Sequence, residues 1–263
     1  MFTRIVMLML IAVLALPVTT LTRPGDTSQA PWTEIAVAAK GKHYKKKDHK
    51  KAQTATRTVR QTVTQTFTST GLITIPDGPS GTKSIQAVPY PSAIAVTGFA
   101  NGVITDVNLI LEDFTHQYVG DVDILLSNGD GRRALVMSDV SEDPITSIDL
   151  TLDDEAAASV PTSRPASGVF RPTDLADPSG PDTFAAPAPA PDGSLALSTF
   201  DGANPNGIWQ VWVMDDAGGG DHGAIGGWGL QITAEVDVQV PDQANDTPHK
   251  KHNKHGKKRH GAR

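Results

Sequence analysis

Apolar residues at every second position, repeated in several segments, constrain this fold more than any other feature of the sequence. The alternation runs through residues 107–111, 122–126 and 148–152. Successive side chains of an extended strand point to opposite faces, so each segment predicts a strand with one face for a core. Asn128-Gly129 and Asp130-Gly131 add a strong hairpin signal after Ser127. The pattern predicts an all-β fold, a jelly-roll-like antiparallel β-sandwich.

The stretch NPNGIWQVWVMDD, residues 204–216, predicts a turn followed by a central strand. Pro205 and Gly207 fit the second and fourth positions of a type I turn. Both faces of the strand are apolar, with Trp209 on one of them. Period two places Asp215 on the Trp209 face, and we expect Asp221, across a glycine turn, to be its companion.

A proline-rich segment at 161–191 interrupts the strand pattern. Proline cannot donate to a sheet ladder, so this segment does not fit a central strand. We expect a long ordered loop that lies over the sandwich and is pinned by Phe170 and Phe184.

The ends of the chain differ from its middle. Arg4 precedes the apolar run Ile5–Leu16, a pattern typical of a secretory signal and too short to span a bilayer. We therefore expect a secreted, extracellular protein with no transmembrane span in the mature chain, and no disulfides because it has no cysteine. The expected divisions are a signal peptide at 1–30, whose cleavage position the sequence does not fix, and a flexible basic linker at 31–66. The sandwich domain follows at 67–236, and a disordered basic tail at 237–263.

Charge is segregated along the chain. Of 23 Lys and Arg residues, 11 lie in 1–60 and 7 in 249–263, whereas 26 of the 29 acidic residues lie between these segments. An acidic body with two cationic arms could bind anionic polymers through the arms or fold the arms back on itself. The arms carry no aromatic-rich face, which argues against nucleic acid as the partner.

Catalytic motifs are sparse. The acidic body has two histidines, His116 and His222, and no Gly-x-Ser-x-Gly elbow. Ser138 precedes Asp139 but has no histidine near it in sequence. For zinc, the sequence offers neither an HExxH motif nor a cysteine. We expect the histidines of the tail to bind transition metals only adventitiously. We expect no catalytic site and interpret both body histidines as polar residues at strand ends.

Calcium is the metal that the sequence favours. Calcium prefers carboxylate and carbonyl oxygens, which loops at strand ends supply without helices. Carboxylates that crowd together repel one another unless a cation binds, although aspartate at turns also caps the backbone of many proteins. The candidate ligands are Asp121, Asp123, Asp139, Asp153, Asp154, Asp215, Asp216 and Asp221.

Two motifs carry a resemblance to a known family. The first is H-x-x-x-x-D-x-D-I-L-L at 116–126, and the second is N-P-N-G-x-W at 204–209, which leads to W-x-L-x-I at 228–232. ALVMSD, IDLTLDDEAA and DTF lie between them. Together they resemble the P domain, or P/Homo B domain, of subtilisin-like proprotein convertases, in its free-standing bacterial branch. The resemblance covers roughly 71–235.

The resemblance implies a jelly-roll-like sandwich, often with calcium, that assists a serine endopeptidase without cutting peptides itself. Residues 1–70 contain nothing like a subtilisin-like catalytic unit. We therefore expect a non-catalytic, calcium-stabilised accessory or adhesion module for a protein or cell-wall partner. Two alternatives remain: association with a separate subtilisin-like protease in proteolysis, and charge-driven binding of anionic polymers by the arms.

Overall fold

The computed structural model describes residues 55–175 and 181–242. Their regular secondary structure is almost entirely β-strand, with 3-10 turns at Val119–Asp121 and Leu197–Phe200. No helix within these ranges is long and apolar enough to cross a membrane. The strands are β1 (Thr56–Ser69), β2 (Ile73–Ile75), β3 (Ile85–Gln86), β4 (Ser92–Val96), β5 (Val103–His116), β6 (Val122–Ser127), β7 (Arg133–Ser138), β8 (Ile145–Leu152), β9 (Gly168–Phe170), β10 (Thr173–Asp174), β11 (Gly207–Asp215), β12 (Gly223–Ile225) and β13 (Gly227–Pro241).

The strands form two sheets, which confirms the predicted all-β sandwich. One sheet has the order β1-β13-β5-β12-β2, with β8 beside β5 and β9 beside β8. The other has the order β10-β7-β6-β11-β3, with β4 also on β11. Most pairs are antiparallel, and β8 with β9 and β7 with β10 are parallel. We call these sheets A and B.

The core lies between the two sheets. Alternate residues of β5 and β13 from sheet A and of β6 and β11 from sheet B fill it, as period two requires. On β11, Trp209 belongs to this core, whereas Trp212 belongs to a smaller cluster with Leu125 and Leu135 on the other face of sheet B. The strand is central and both of its faces are buried, as predicted.

Strand β1 shifts the predicted domain boundaries. It begins at Thr56, inside the segment predicted as linker, and pairs with β13 over its whole length, which continues to Pro241. Val63 and Phe67 pack against the core, whereas the residues between them are mostly exposed. An edge strand with one lightly buried face has few apolar residues, and this made its sequence resemble a linker. The predicted signal peptide and most of both basic arms lie outside the described residues.

Loops join these strands partly as the sequence predicts. The hairpin after Ser127 is present, and Asn128 Oδ1 accepts bonds from the Asp130 and Arg132 amides. At residues 204–207, Asn206 N donates to the side chain of Asn204 at 3.0 Å, and Gly207 has φ +142°. This is an asparagine-side-chain turn in place of the expected type I turn.

The proline-rich segment covers sheet B but also contributes strands. Phe184 and Ala188 pack on the outer cluster around Trp212, and Tyr90 Oη donates to Ala185 O at 2.9 Å. Phe170 packs against the main core from β9. Both predicted aromatic anchors therefore hold the segment, and two short strands, β9 and β10, interrupt the expected loop.

Candidate metal centre

Six of the eight predicted aspartates meet at one end of the sandwich. This end is formed where β5, β7 and β11 finish and where β6 begins, because antiparallel strands bring opposite termini together. We call it the acidic end. It contains Asp121, Asp123, Asp139, Asp215, Asp216 and Asp221, joined by His116, Ser138, Asp174 and Asp182.

A buried hydroxyl lies at the centre of one half of the acidic end. Ser138 Oγ is 2.7 Å from Asp123 Oδ1, 2.9 Å from Asp182 Oδ2 and 3.3 Å from Asp139 Oδ2. A hydroxyl has one hydrogen to donate, so it cannot satisfy three ionised carboxylates. We call Ser138 and its three carboxylates, together with Asp174, the serine subsite.

Strand pairing brings Asp174 into the serine subsite. Asp174 pairs with Ser138 in the parallel β7–β10 ladder. Carboxylate oxygens of Asp139, Asp174 and Asp182 lie within 4.8 Å of one another. Four carboxylates from three segments of the chain thus share one small volume.

Asp123 is the most strongly perturbed group of the serine subsite. Its side chain is 1% exposed, and its Oδ2 has no hydrogen-bond partner. Burial raises the pKa of Asp123 to about 9, opposed by the Ser138 bond and reinforced by the charges of Asp182 and Asp216. A carboxylate in this position needs either a proton or a cation.

The other half of the acidic end contains His116, the last residue of β5. Its side chain is fully buried, and Nδ1 is 2.8 Å from Tyr118 O. Its Nε2 is 3.4 Å from Asp215 Oδ2, which is also fully buried, and a carboxylate oxygen of Asp221 lies nearby. We call His116, Asp121, Asp215 and Asp221 the histidine subsite.

Asp121 and Asp221 line the mouth of the histidine subsite. Burial, a side-chain hydrogen bond to Asp221, and the charges of Asp221, Asp215 and Asp216 raise the pKa of Asp121 to about 7. A backbone hydrogen bond also joins the neighbouring segments, since Asp216 N donates to Asp121 O at 2.8 Å. Like charges held this close favour a shared proton or a bound cation.

Two clefts lead from the surface to the acidic end. One of about 290 Å³ is lined by Asp121, Asp139 and Asp216 together with Lys83 and the neighbouring residues 81–82 and 217–218. The other, of about 510 Å³, is lined by Gln117, Tyr118, Asp121, Asp221 and neighbouring glycines. Each subsite therefore has at least one carboxylate that lines a cleft open to solvent.

Asp153 and Asp154, the other two candidate ligands, lie away from the acidic end. They follow β8 beside the start of β5, where Asp106 is, whereas His116 ends that strand. Ten residues of strand separate the two ends by roughly 30 Å. Both Asp154 oxygens accept backbone amides, from Leu197 and Ser198, so this carboxylate caps a 3-10 turn.

Four residues of the site escaped prediction from the sequence as ligands. His116 and Asp182 lie in recognisable motifs, at the start of H-x-x-x-x-D and in DTF, so those motifs carried a usable signal. Asp174 belongs to a two-residue strand inside the proline-rich segment, and Ser138 had no distinguishing neighbour except Asp139. Only the folded topology places them beside Asp123.

Comparisons with known proteins identify no family. No protein-family description and no curated protein matches the chain. Among solved structures, a serine protease of Aeromonas sobria aligns with 67% of this chain and 27% of its own, at 14% identity and a TM-score of 0.33. The complex of that protease with its chaperone ORF2 aligns with 69% and 28%, at 14% identity and a TM-score of 0.34. The chain thus spans little more than a quarter of the protease, and a likeness this weak carries no functional argument.

Proposed function

We propose that this chain is an exported, non-catalytic module of the P-domain type whose β-sandwich is stabilised by calcium at the acidic end. The observation that carries the proposal is the contact of one buried hydroxyl, Ser138 Oγ, with oxygens of three carboxylates. No single hydrogen placement satisfies all of these oxygens when the acids are ionised. A divalent cation would balance their charge.

The ligand set of the serine subsite fits calcium. Calcium takes about six to eight oxygen ligands in flexible geometry. Asp123, Asp139, Asp174 and Asp182 offer carboxylates, and Asp123 Oδ2 is a buried oxygen without a hydrogen-bond partner. Asp216 lies close enough to perturb Asp123 electrostatically. Water and a second oxygen from each carboxylate would complete the shell.

The same contacts support a structural role for Ser138. Its side chain is fully buried, and none of the described hydrogen bonds joins its Oγ to a histidine. A nucleophilic serine needs a base that removes its proton and room for a substrate. Carboxylates around a serine that is closed off from solvent favour ion binding over acyl transfer.

The partner follows from the resemblance to P domains. Such a module assists another protein, so we propose an accessory or adhesion role toward a protein or cell-wall partner, with a separate subtilisin-like protease as one candidate. Calcium would act by holding together the loops at the acidic end, which precede β6 and follow β7 and β11. A loss of calcium would loosen that end and weaken any partner bound there.

Thermal unfolding of the full chain with and without calcium tests the ion. Binding to the folded state alone should raise the melting temperature, with about 2.7 kcal/mol of added stability at a hundredfold excess over Kd. Superimposed scans in millimolar calcium and in chelator would refute calcium stabilisation. Capture of partners from culture supernatant, followed by a peptide-cleavage assay on the purified chain alone, tests the accessory role, and cleavage lost in a His116→Asn variant would contradict it.

A further inference from the structure

The position of one hydrogen atom in the histidine subsite can be deduced from distances. His116 Nδ1 is 2.8 Å from the carbonyl oxygen of Tyr118 and 3.3 Å from the Tyr118 amide nitrogen. A carbonyl oxygen can only accept, and two lone pairs at the shorter distance would repel. Nδ1 therefore carries the hydrogen and donates it to Tyr118 O. Neutral His116 then has its Nε2 lone pair directed away from the backbone.

That lone pair faces a carboxylate. Nε2 lies 3.4 Å from Asp215 Oδ2, and neither atom has a hydrogen-bond partner although both are buried. Asp215 Oδ1 already accepts the Ala217 amide at 3.0 Å, so the side chain is held in place by its other oxygen. Two acceptor atoms face each other with no hydrogen between them. This arrangement is unfavourable unless a positive charge lies there.

The separation of these atoms distinguishes two ways to supply that charge. A proton on Nε2 would form a charged hydrogen bond, for which the usual distance is about 2.7–2.9 Å. A tetrahedral zinc ion about 2.0–2.1 Å from each ligand places neighbouring ligand atoms about 3.4 Å apart. The observed 3.4 Å matches the spacing of two ligands around one ion.

A third ligand is already in place. One carboxylate oxygen of Asp221 and the ligand atoms of His116 and Asp215 all lie within 4.8 Å of one another. Asp121 shares a side-chain hydrogen bond with Asp221 and lies at the same mouth, so it or water can complete four-coordination. The bond from Nδ1 to a backbone carbonyl is the outer contact that orients metal-bound histidines in general.

We infer that His116, Asp215 and Asp221 form a second metal site, which takes a divalent transition-metal ion of the zinc type. An imidazole nitrogen selects such ions over calcium, which prefers an all-oxygen shell. The inference does not rest on calcium binding, because the serine subsite uses a different set of side chains. The acidic end would then hold two unlike ions side by side.

Zinc titration of the full chain, followed by ¹⁵N NMR of the histidine rings, tests this site. The six histidines outside the described residues, at 43, 49, 252, 255, 249 and 260, are replaced by Asn so that only His116 and His222 remain. One equivalent of Zn²⁺ should shift the Nε2 resonance of His116 and leave its Nδ1 protonated. Excess Ca²⁺ should leave that resonance in place.

Two variants complete the experiment: one is a control and the other tests a ligand. His222→Asn changes an exposed histidine next to Asp221 and should leave zinc affinity unchanged. Asp221→Asn removes a half-buried ligand from a glycine-rich turn, so it should fold and bind zinc at least tenfold more weakly. An Nε2 resonance that does not respond to a hundredfold excess of Zn²⁺, or Asp221→Asn with wild-type affinity, would overturn the site. Zinc binding without any calcium effect would retain this site and refute the calcium proposal, and the reverse pattern would do the opposite.

Discussion

The indole Nε1 of Trp228 donates a 2.8 Å hydrogen bond to Ser92 Oγ between the two sheets. Trp228 belongs to β13 in sheet A and Ser92 to β4 in sheet B, and both are buried. The bond satisfies an indole donor that would otherwise be enclosed by apolar side chains. It therefore fixes how one sheet lies on the other in a region where apolar contacts alone are not directional.

Replacing Ser92 should destabilise the fold more than its small size implies. Ser92→Ala leaves the Trp228 donor buried and unpaired, which costs about 1–3 kcal/mol in free energy of unfolding. Denaturant unfolding measures the loss, and Ser80→Ala, at an exposed turn, is the control expected to change little. In a Ser92→Ala, Trp228→Phe cycle we expect coupling of about 1 kcal/mol, and fully additive effects would show that the bond contributes nothing.

The metal-free protein should lose stability as the pH rises. The pKa of Asp123 is raised to about 9 in the folded state from an ordinary value of 3.8, so the folded state retains a proton that the unfolded chain releases. This lowers stability between the two values, and Asp121, with a pKa of about 7, adds to the same trend. Calcium at the serine subsite competes with the Asp123 proton, so its stabilising effect should grow with pH.

Melting temperatures at about pH 5 and about pH 8, each in calcium and in chelator, measure this linkage. We expect the difference between calcium and chelator to be larger at the higher pH. A difference that is equal at both values, or larger at the lower one, would contradict the assignment of Asp123 to a calcium site.

Neutralising Asp123 should change stability in opposite directions with and without calcium. Asp123→Asn removes a buried carboxylate, so in chelator the melting temperature at neutral pH should rise or stay constant. In calcium the same variant should lose most of the calcium-dependent gain. Asp154→Asn, at the far end of the sandwich, weakens a turn cap and should cost about 1 kcal/mol equally in both conditions. If both variants respond alike to calcium, the serine subsite is not the calcium site.

Strand β1 should contribute strongly to stability. Phe67 packs against the core with its ring centroid 6.0 Å from that of Phe99. Because it is only partly buried, Phe67→Ala should cost about 2–3 kcal/mol, below the usual range for a fully buried phenylalanine. Thr66→Ala on the exposed face is the matched control and should cost under about 0.5 kcal/mol. Equal, small effects in thermal unfolding would show that β1 is not an integral strand.

The sequence predicted the sandwich because its core strands alternate strictly. Residues of β6 and β11 alternate between the two faces of one sheet, so period two placed Asp215 on the inner, Trp209 face. The glycine turn suggested Asp221 as its companion, and carboxylate oxygens of the two residues lie within 4.8 Å of each other. Residues near the ends of neighbouring strands were predictable in this way because the strand itself carries the register.

The sequence does not place residues whose location depends on the topology of the sheets. Asp153 and Asp154 ended a strand just as Asp215 does, but nothing local states which end of the sandwich a strand terminus reaches. Asp182 lies in the proline-rich segment, where neither hydrophobic periodicity nor turn residues predict that it reaches Ser138. Strand β1 was missed because its exposed edge carries mostly threonine, glutamine and arginine.

The pairing of β1 with β13 has a consequence for the two basic segments of the chain. Thr56 pairs with Pro241, and Asp242 N donates to Ala55 O at 2.7 Å, so the chain enters and leaves the sandwich at one point. The chain that carries 11 Lys and Arg in residues 1–60 and 7 in residues 249–263 therefore continues from two neighbouring positions of the sandwich. Two labels attached at Ala55 and Asp242 would be held a short distance apart, so a bivalent binder could contact both at once.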